Sequence, residues 1–135
     1  MAKPLSVLMI EDSEDDALLI LHELEHGGYD VDWERLDKAD AIRDALKRKT
    51  WDVILSDHAM PGICAPEALS IAKDCDITTP FIIVSGWMTP ELAESAMKEG
   101  AADFIPKNRL SRLVPAIEKQ LKAAKASKKP AKRKK

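Results

Sequence analysis

Cysteine is scarce in this 135-residue chain. Cys64 and Cys75 are the whole complement, too few for a disulfide framework and in no metal-binding spacing. Reduced thiols in a cytosolic protein are the expectation. Aromatic residues make up 4 %, and none falls within residues 125–135, so base stacking by that segment has no support. No apolar run reaches the length of a membrane span. The N-terminal stretch MAKPLSVLMIEDSEDD passes from a short apolar segment straight into acids, without a small-residue cleavage site, so no signal peptide is expected. Internal repeats are absent. Acids are missing from the C-terminus, where Lys125 to Lys135 hold seven basic residues. Removing those seven charges from the net −2 leaves −9 on residues 1–124, an acidic domain followed by a basic tail. The tail, KASKKPAKRKK, is low in complexity and is expected to be disordered. Its charge reads either as a solvated tail or as non-specific attraction to nucleic acid or an anionic surface.

What is present suits one domain with a real core, since 45 % of the residues are apolar. Residues 5–10, LSVLMI, have no polar face and predict a strand covered on both sides. Ser13 with Asp16 resembles a capping box. Ala17, Leu18, Leu21 and Leu24 follow at helical spacing until Gly27-Gly28 stops the helix. A weaker strand is predicted near 30–36. Asp37 then caps a helix with Ile42, Ala45 and Leu46 on one face. A third strand over 52–56 precedes a helix from Pro66 to about Lys73. A fourth, PFIIV, spans 80–84. Thr89-Pro90-Glu91 combines a cap, a first-turn proline and an acid near the dipole, and that helix ends at Gly100. A short fifth strand covers 102–105, and Ser111 caps a last helix with Leu113, Val114, Ile117 and Leu121 facing inward. Pro115 sits near its first turn, where the cost is modest.

Five strands alternating with five helices predict an α/β fold, a mostly parallel sheet with helices on both faces. Function in such sheets gathers beyond the carboxyl ends of the strands. Glu11 and Asp12 follow the first strand, Asp57 the third, Ser85 the fourth and Lys107 the fifth. Each has a plainer reading alone. Asp57 would be a turn-former before Pro61, Glu11 and Asp12 helix-start acids, Lys107 a solvated lysine, Ser85 a loop serine and Phe104 a core residue. Their shared edge argues for a site.

Three clustered carboxylates repel and raise each other's proton affinity. A hard divalent cation relieves this, and Mg²⁺ favours one or two carboxylates with waters and phosphate oxygens. A carboxylate is also a competent nucleophile toward phosphorus. A cation and Lys107 would neutralise the transferring phosphoryl group, and Ser85 can donate to one of its oxygens.

The ordered segments IED, VILSDHAMPG, FIIVSG and ADFIPK resemble the receiver domain of two-component response regulators over roughly residues 4–124. The resemblance implies a doubly wound, flavodoxin-like sheet of order 2-1-3-4-5, an order for which a chemotaxis receiver is a standard illustration. It implies Asp57 as phosphoacceptor, with Mg²⁺ held by Asp12, Asp57 and the backbone carbonyl of Ala59, and Glu11 acting through a water. Ser85 and Lys107 would hold the phosphoryl group. Phe104 takes the position of the switch aromatic, which swings inward when phosphorylation draws in the hydroxyl. That population shift would alter the face made by the fourth helix, fifth strand and fifth helix. The implied partners are a histidine kinase or phosphotransfer protein, a downstream protein, and a second copy through that face. The chain then reads as a stand-alone cytoplasmic signalling protein rather than an enzyme.

Departures from the family pattern are visible. Asn108 follows Lys107 where the family usually has proline behind a cis bond, and a cis bond before asparagine would cost about 3–4 kcal/mol. Cys64-Ala65 replaces a common Asp-Gly pair. Phe104 lacks the hydroxyl of the usual tyrosine. Ala59 cannot orient a water and Trp87 is bulky enough to cover the approach. A long-lived phosphoaspartate is therefore expected, with hydrolysis rates of Ala59→Asn and Trp87→Glu as its test. His58, beside Asp57, points to the other face of an extended chain and is read as a bystander. His22 and His26 need no role. Two other functions stay open. One is a phosphate-independent receiver-like interaction module. The other is an aspartate-nucleophile phosphatase of the haloacid-dehalogenase kind, although there the nucleophile follows the first strand with a second acid two residues on.

Overall fold

A computed structural model describes residues 3–57, 65–75, 79–86 and 89–133, with side chains of these except 65 and 124–133. His58, Ala59, Cys64 and Trp87 lie outside the described residues, as do the expectations attached to them. In chain order the elements are β1 (Lys3–Ile10), α1 (Glu14–His26), β2 (Tyr29–Leu36), α2 (Ala39–Arg48), β3 (Val53–Ser56), α3 (Ala65–Asp74), β4 (Phe81–Ser85), α4 (Pro90–Glu99), β5 (Asp103–Pro106), a 3₁₀ helix (Lys107–Arg112) and α5 (Leu113–Arg133).

The sheet is parallel throughout, in the order β2-β1-β3-β4-β5, as the resemblance implies. Because side chains alternate along a strand, β1 divides between two cores. Leu8 and Ile10 pack with Ile42, Leu46, Leu69 and Ala96 from α2, α3 and α4. Leu5, Val7 and Met9 pack with Ile20, Leu24, Leu113 and Ile117 from α1 and α5. This double cover is why β1, β3 and β4 read as unbroken apolar runs. Pro106 is tolerated in β5 because that strand lies at the sheet edge.

Local signals placed several boundaries. The Ser13 hydroxyl accepts from the Asp16 amide at 3.2 Å, and Thr89 caps α4 by accepting from Leu92 at 3.2 Å. Gly100 closes α4 at φ +120°, in the left-handed region open to glycine.

Other expectations need correction. Leu18 is exposed, and Ile20 takes its place on the buried face of α1. Asp37 does not cap α2. Lys38 holds that position without a side-chain hydrogen bond, so Asp37 is one residue too early to reach the first-turn amides. Ser111 does not cap α5, because the chain is already helical from Lys107 and the Leu113 amide donates back to Leu110. The last helix is described to Arg133. Alanine and lysine, which dominate its C-terminal part, are good helix formers. No helix among the described residues is long and apolar enough to cross a membrane.

Candidate functional site

The parallel register sets the carboxyl ends of β1 and β3 side by side. Ile10 pairs with Ser56, and one residue further on the Asp57 amide donates to the Ile10 carbonyl at 2.9 Å. The Glu11 amide is taken by the Leu36 carbonyl of β2 at 3.0 Å. Arg35 closes the same corner by donating to the Glu11 carbonyl at 3.2 Å. Backbone pairing therefore delivers Glu11 and Asp57 to one place.

Glu11, Asp12 and Asp57 each turn a carboxylate oxygen to within 4.8 Å of the others. Glu11 is 2 % exposed, while Asp12 is open to solvent. Lys107, the first residue past β5, reaches into this group. Its Nζ lies 3.2 Å from Asp57 Oδ2, 3.0 Å from Glu11 Oε1 and 2.6 Å from Asp16 Oδ2. Among the described residues no peptide bond is cis, so Lys107 reaches the acids with a trans bond to Asn108. Burial pushes the Glu11 carboxyl up to about 7, the nearby Asp57 charge adds to this, and Lys107 works against it. Burial disfavours the Lys107 ammonium, but its ion pairs with Asp16, Glu11 and Asp57 outweigh that and hold its pKa well above the ordinary lysine value.

Ser85 is the last residue of β4 rather than the first beyond it, is 5 % exposed, and pairs in register with Pro106. A Cβ on the following Gly86 would lie 3.8 Å from Lys107 Cδ, so the lysine stem runs past the β4 end. Phe104 is half-buried against the α2–α3–α4 core. The predicted carbonyl ligand, Ala59, lies outside the described residues.

The donor set fits a hard divalent cation. All three groups offer carboxylate oxygens, the preference of Mg²⁺. Oε1 of Glu11 is buried, and its charged neighbour is Lys107 Nζ at 3.0 Å.

Asp16 was not expected here. Local spacing marks it only as the partner of Ser13 in a capping box, and a first-turn acid on α1 carries no sign of a lysine 91 positions away. Arg35 was missed for the same reason, since its role depends on where the end of β2 lies.

A family model, the response regulator receiver domain, matches residues 7–118. The transcriptional regulatory protein FixJ of Bradyrhizobium diazoefficiens is 34 % identical over 92 residues, covering 65 % of this chain and 45 % of FixJ. The response regulator ArlR of Staphylococcus saprophyticus is 35 % identical over 101 residues, covering 75 % of this chain and 44 % of ArlR. The chain thus spans under half the length of these curated relatives. Among solved structures, the signal receiver domain of a Luxo repressor protein from Vibrio parahaemolyticus superposes with a TM-score of 0.81 at 25 % identity, covering 93 % of this chain and 95 % of that one. With most of the chain inside the matched span and the sheet order in agreement, the chain belongs to the response regulator receiver domain family.

Proposed function

We propose that this protein accepts a phosphoryl group on Asp57 and signals the change by protein contact. The observation that carries the reading is Lys107 Nζ at 3.2 Å from Asp57 Oδ2, in one cluster with Glu11 and Asp12. In the reaction an Asp57 oxygen attacks the phosphorus of a phosphohistidine on a histidine kinase or phosphotransfer protein. The new O–P bond gives an acyl phosphate. The P–N bond breaks, and its electron pair returns to the imidazole.

Mg²⁺, when bound, supplies positive charge and orientation for the phosphoryl oxygens. Asp12, Asp57 and the Ala59 carbonyl would hold it, with Glu11 acting through a water. Lys107 neutralises one phosphoryl oxygen and Ser85 donates to another, which supplies most of the stabilisation such a transfer needs. Phe104 has no polar atom to bury, so its inward state loses no hydrogen bond. Its half-buried position is what a movable ring requires. The face of α4, β5 and α5 would carry the signal to a downstream partner, with a second copy as one candidate.

The donor performs part of the chemistry, so the protein is read as a cytoplasmic signalling protein and not an enzyme. The receiver unit is taken as residues 1–124, because the family match stops at 118 and Leu121 still packs on the core. The basic segment 125–135 lies outside it, and contact with nucleic acid or an anionic surface is its proposed use. The testing experiment is incubation with a small-molecule phosphodonor, or with beryllofluoride, in the presence of Mg²⁺. Modification confined to Asp57, with a change in self-association or in the α4–β5–α5 face, is expected. An unmodified Asp57 under both conditions would leave the phosphate-independent interaction module as the better reading.

A further inference from the structure

We infer that Asp16 is a positioning residue that holds the Lys107 ammonium over the acid cluster from the α1 side. The backbone amide of Asp16 serves the Ser13 cap at 3.2 Å, which leaves its carboxylate for another purpose. That carboxylate approaches Lys107 Nζ to 2.6 Å, closer than Glu11 at 3.0 Å or Asp57 at 3.2 Å. Asp16 is also outside the trio whose oxygens converge for a cation. When Glu11, Asp12 and Asp57 are engaged by a cation or a phosphoryl group, Asp16 is the carboxylate still available to Lys107. A lysine ammonium has three N–H donors, so one can stay with Asp16 while the others face phosphoryl oxygens.

The need for such a tether is local. Lysine carries a flexible four-carbon stem. Lys107 is followed by Asn108 rather than a ring-locked proline, and it opens a 3₁₀ segment with a non-helical break at Arg109 (φ −135°, ψ 46°). Short 3₁₀ turns have poorer hydrogen-bond geometry than α-helix. An ion pair from α1, 91 residues away in sequence, supplies the restraint that the chain after Lys107 does not.

Two readouts test this. The first is the ¹⁵N ammonium signal of Lys107 in cation-free protein, assigned by its disappearance in Lys107→Met. It does not depend on the function proposed above. The signal should be resolved in the wild type, lost to solvent exchange in Asp16→Asn and retained in Asp16→Glu. A signal unchanged by Asp16→Asn, or absent from the wild type, overturns the inference. The second rests on that function: the rate of Asp57 phosphorylation by a small-molecule phosphodonor with Mg²⁺. Loss of positioning should slow Asp16→Asn by about tenfold, with most of the rate restored in Asp16→Glu and no further effect in a Lys107→Met background. Wild-type rates in Asp16→Asn, or equal slowing in both backgrounds, contradict the inference. If the wild type itself takes up no phosphoryl group, the proposed function fails and the ammonium signal still decides the role of Asp16. Circular dichroism and unfolding midpoints confirm that each variant folds.

Discussion

The amide of Asp57 donates to the carbonyl of Ile10 at 2.9 Å, extending the β1–β3 ladder one residue past β3. The backbone that carries the carboxylate is therefore placed by ladder pairing, and Lys107 Nζ meets the side chain at 3.2 Å. Asp57→Asn should keep the circular dichroism spectrum and lose the phosphoryl adduct completely. Intact-mass spectrometry after incubation with a phosphodonor and Mg²⁺ checks this. An adduct that persists on the variant would put the nucleophile elsewhere.

Glu11, Asp12 and Asp57 each bring a carboxylate oxygen to within 4.8 Å of the others, where like charges repel. Mg²⁺ should therefore stabilise the folded state, by about 1.4 kcal/mol at ten times its dissociation constant. Asp12 is solvent-exposed, so Asp12→Asn leaves the core alone and should remove most of this increment. Urea unfolding with and without Mg²⁺ measures both. An increment equal in the two proteins would exclude Asp12 as a ligand.

Gly27 and Gly28 end α1 for different reasons. A Cβ on Gly27 would lie 2.8 Å from Val114 Cγ2, so α1 and α5 touch there, and Gly27 has an ordinary φ of −79°. Gly28 has open space around it but a φ of +99°. Gly27→Ala should cost about 1–3 kcal/mol through overpacking. Val114→Ala in the same chain should recover part of that, a coupling that a double-mutant cycle reads. Gly28→Ala should cost about 1–2 kcal/mol through the backbone, with no recovery from Val114→Ala. Equal rescue of both would show that the two glycines share one constraint.

Burial raises the Tyr29 pKa above 10.0, and the Glu118 carboxylate that accepts its hydroxyl at 3.1 Å adds to the shift. The unfolded chain therefore ionises this phenol first. The contribution to stability is complete below pH 10.0 and is lost as pH rises through the higher folded-state value. Lys107, with its raised pKa, falls away in the same direction. Tyr29→Phe should lower stability near neutrality and flatten the alkaline decline without abolishing it. Denaturant midpoints across the alkaline range decide. A decline as steep in the variant would assign all of it to other groups.

The layout of this protein is legible in its sequence. Unbroken apolar runs marked β1, β3 and β4 because strands covered on both faces have no polar side. Ser13, Thr89 and Gly100 marked helix ends because caps act within three or four residues. Glu11, Asp12, Asp57, Ser85 and Lys107 could be named together because a parallel sheet sends all its strand ends the same way. Tertiary structure decided what distance in sequence conceals. It brought Asp16 to Lys107, gave Arg35 to the Glu11 carbonyl, sent Leu18 to solvent and set a 3₁₀ segment from Lys107 ahead of α5. Each of these depends on how an element is rotated and where a distant neighbour lies. Short-range patterns carry no such information, because an ion pair or a buried face exists only once the sheet has set both partners in place.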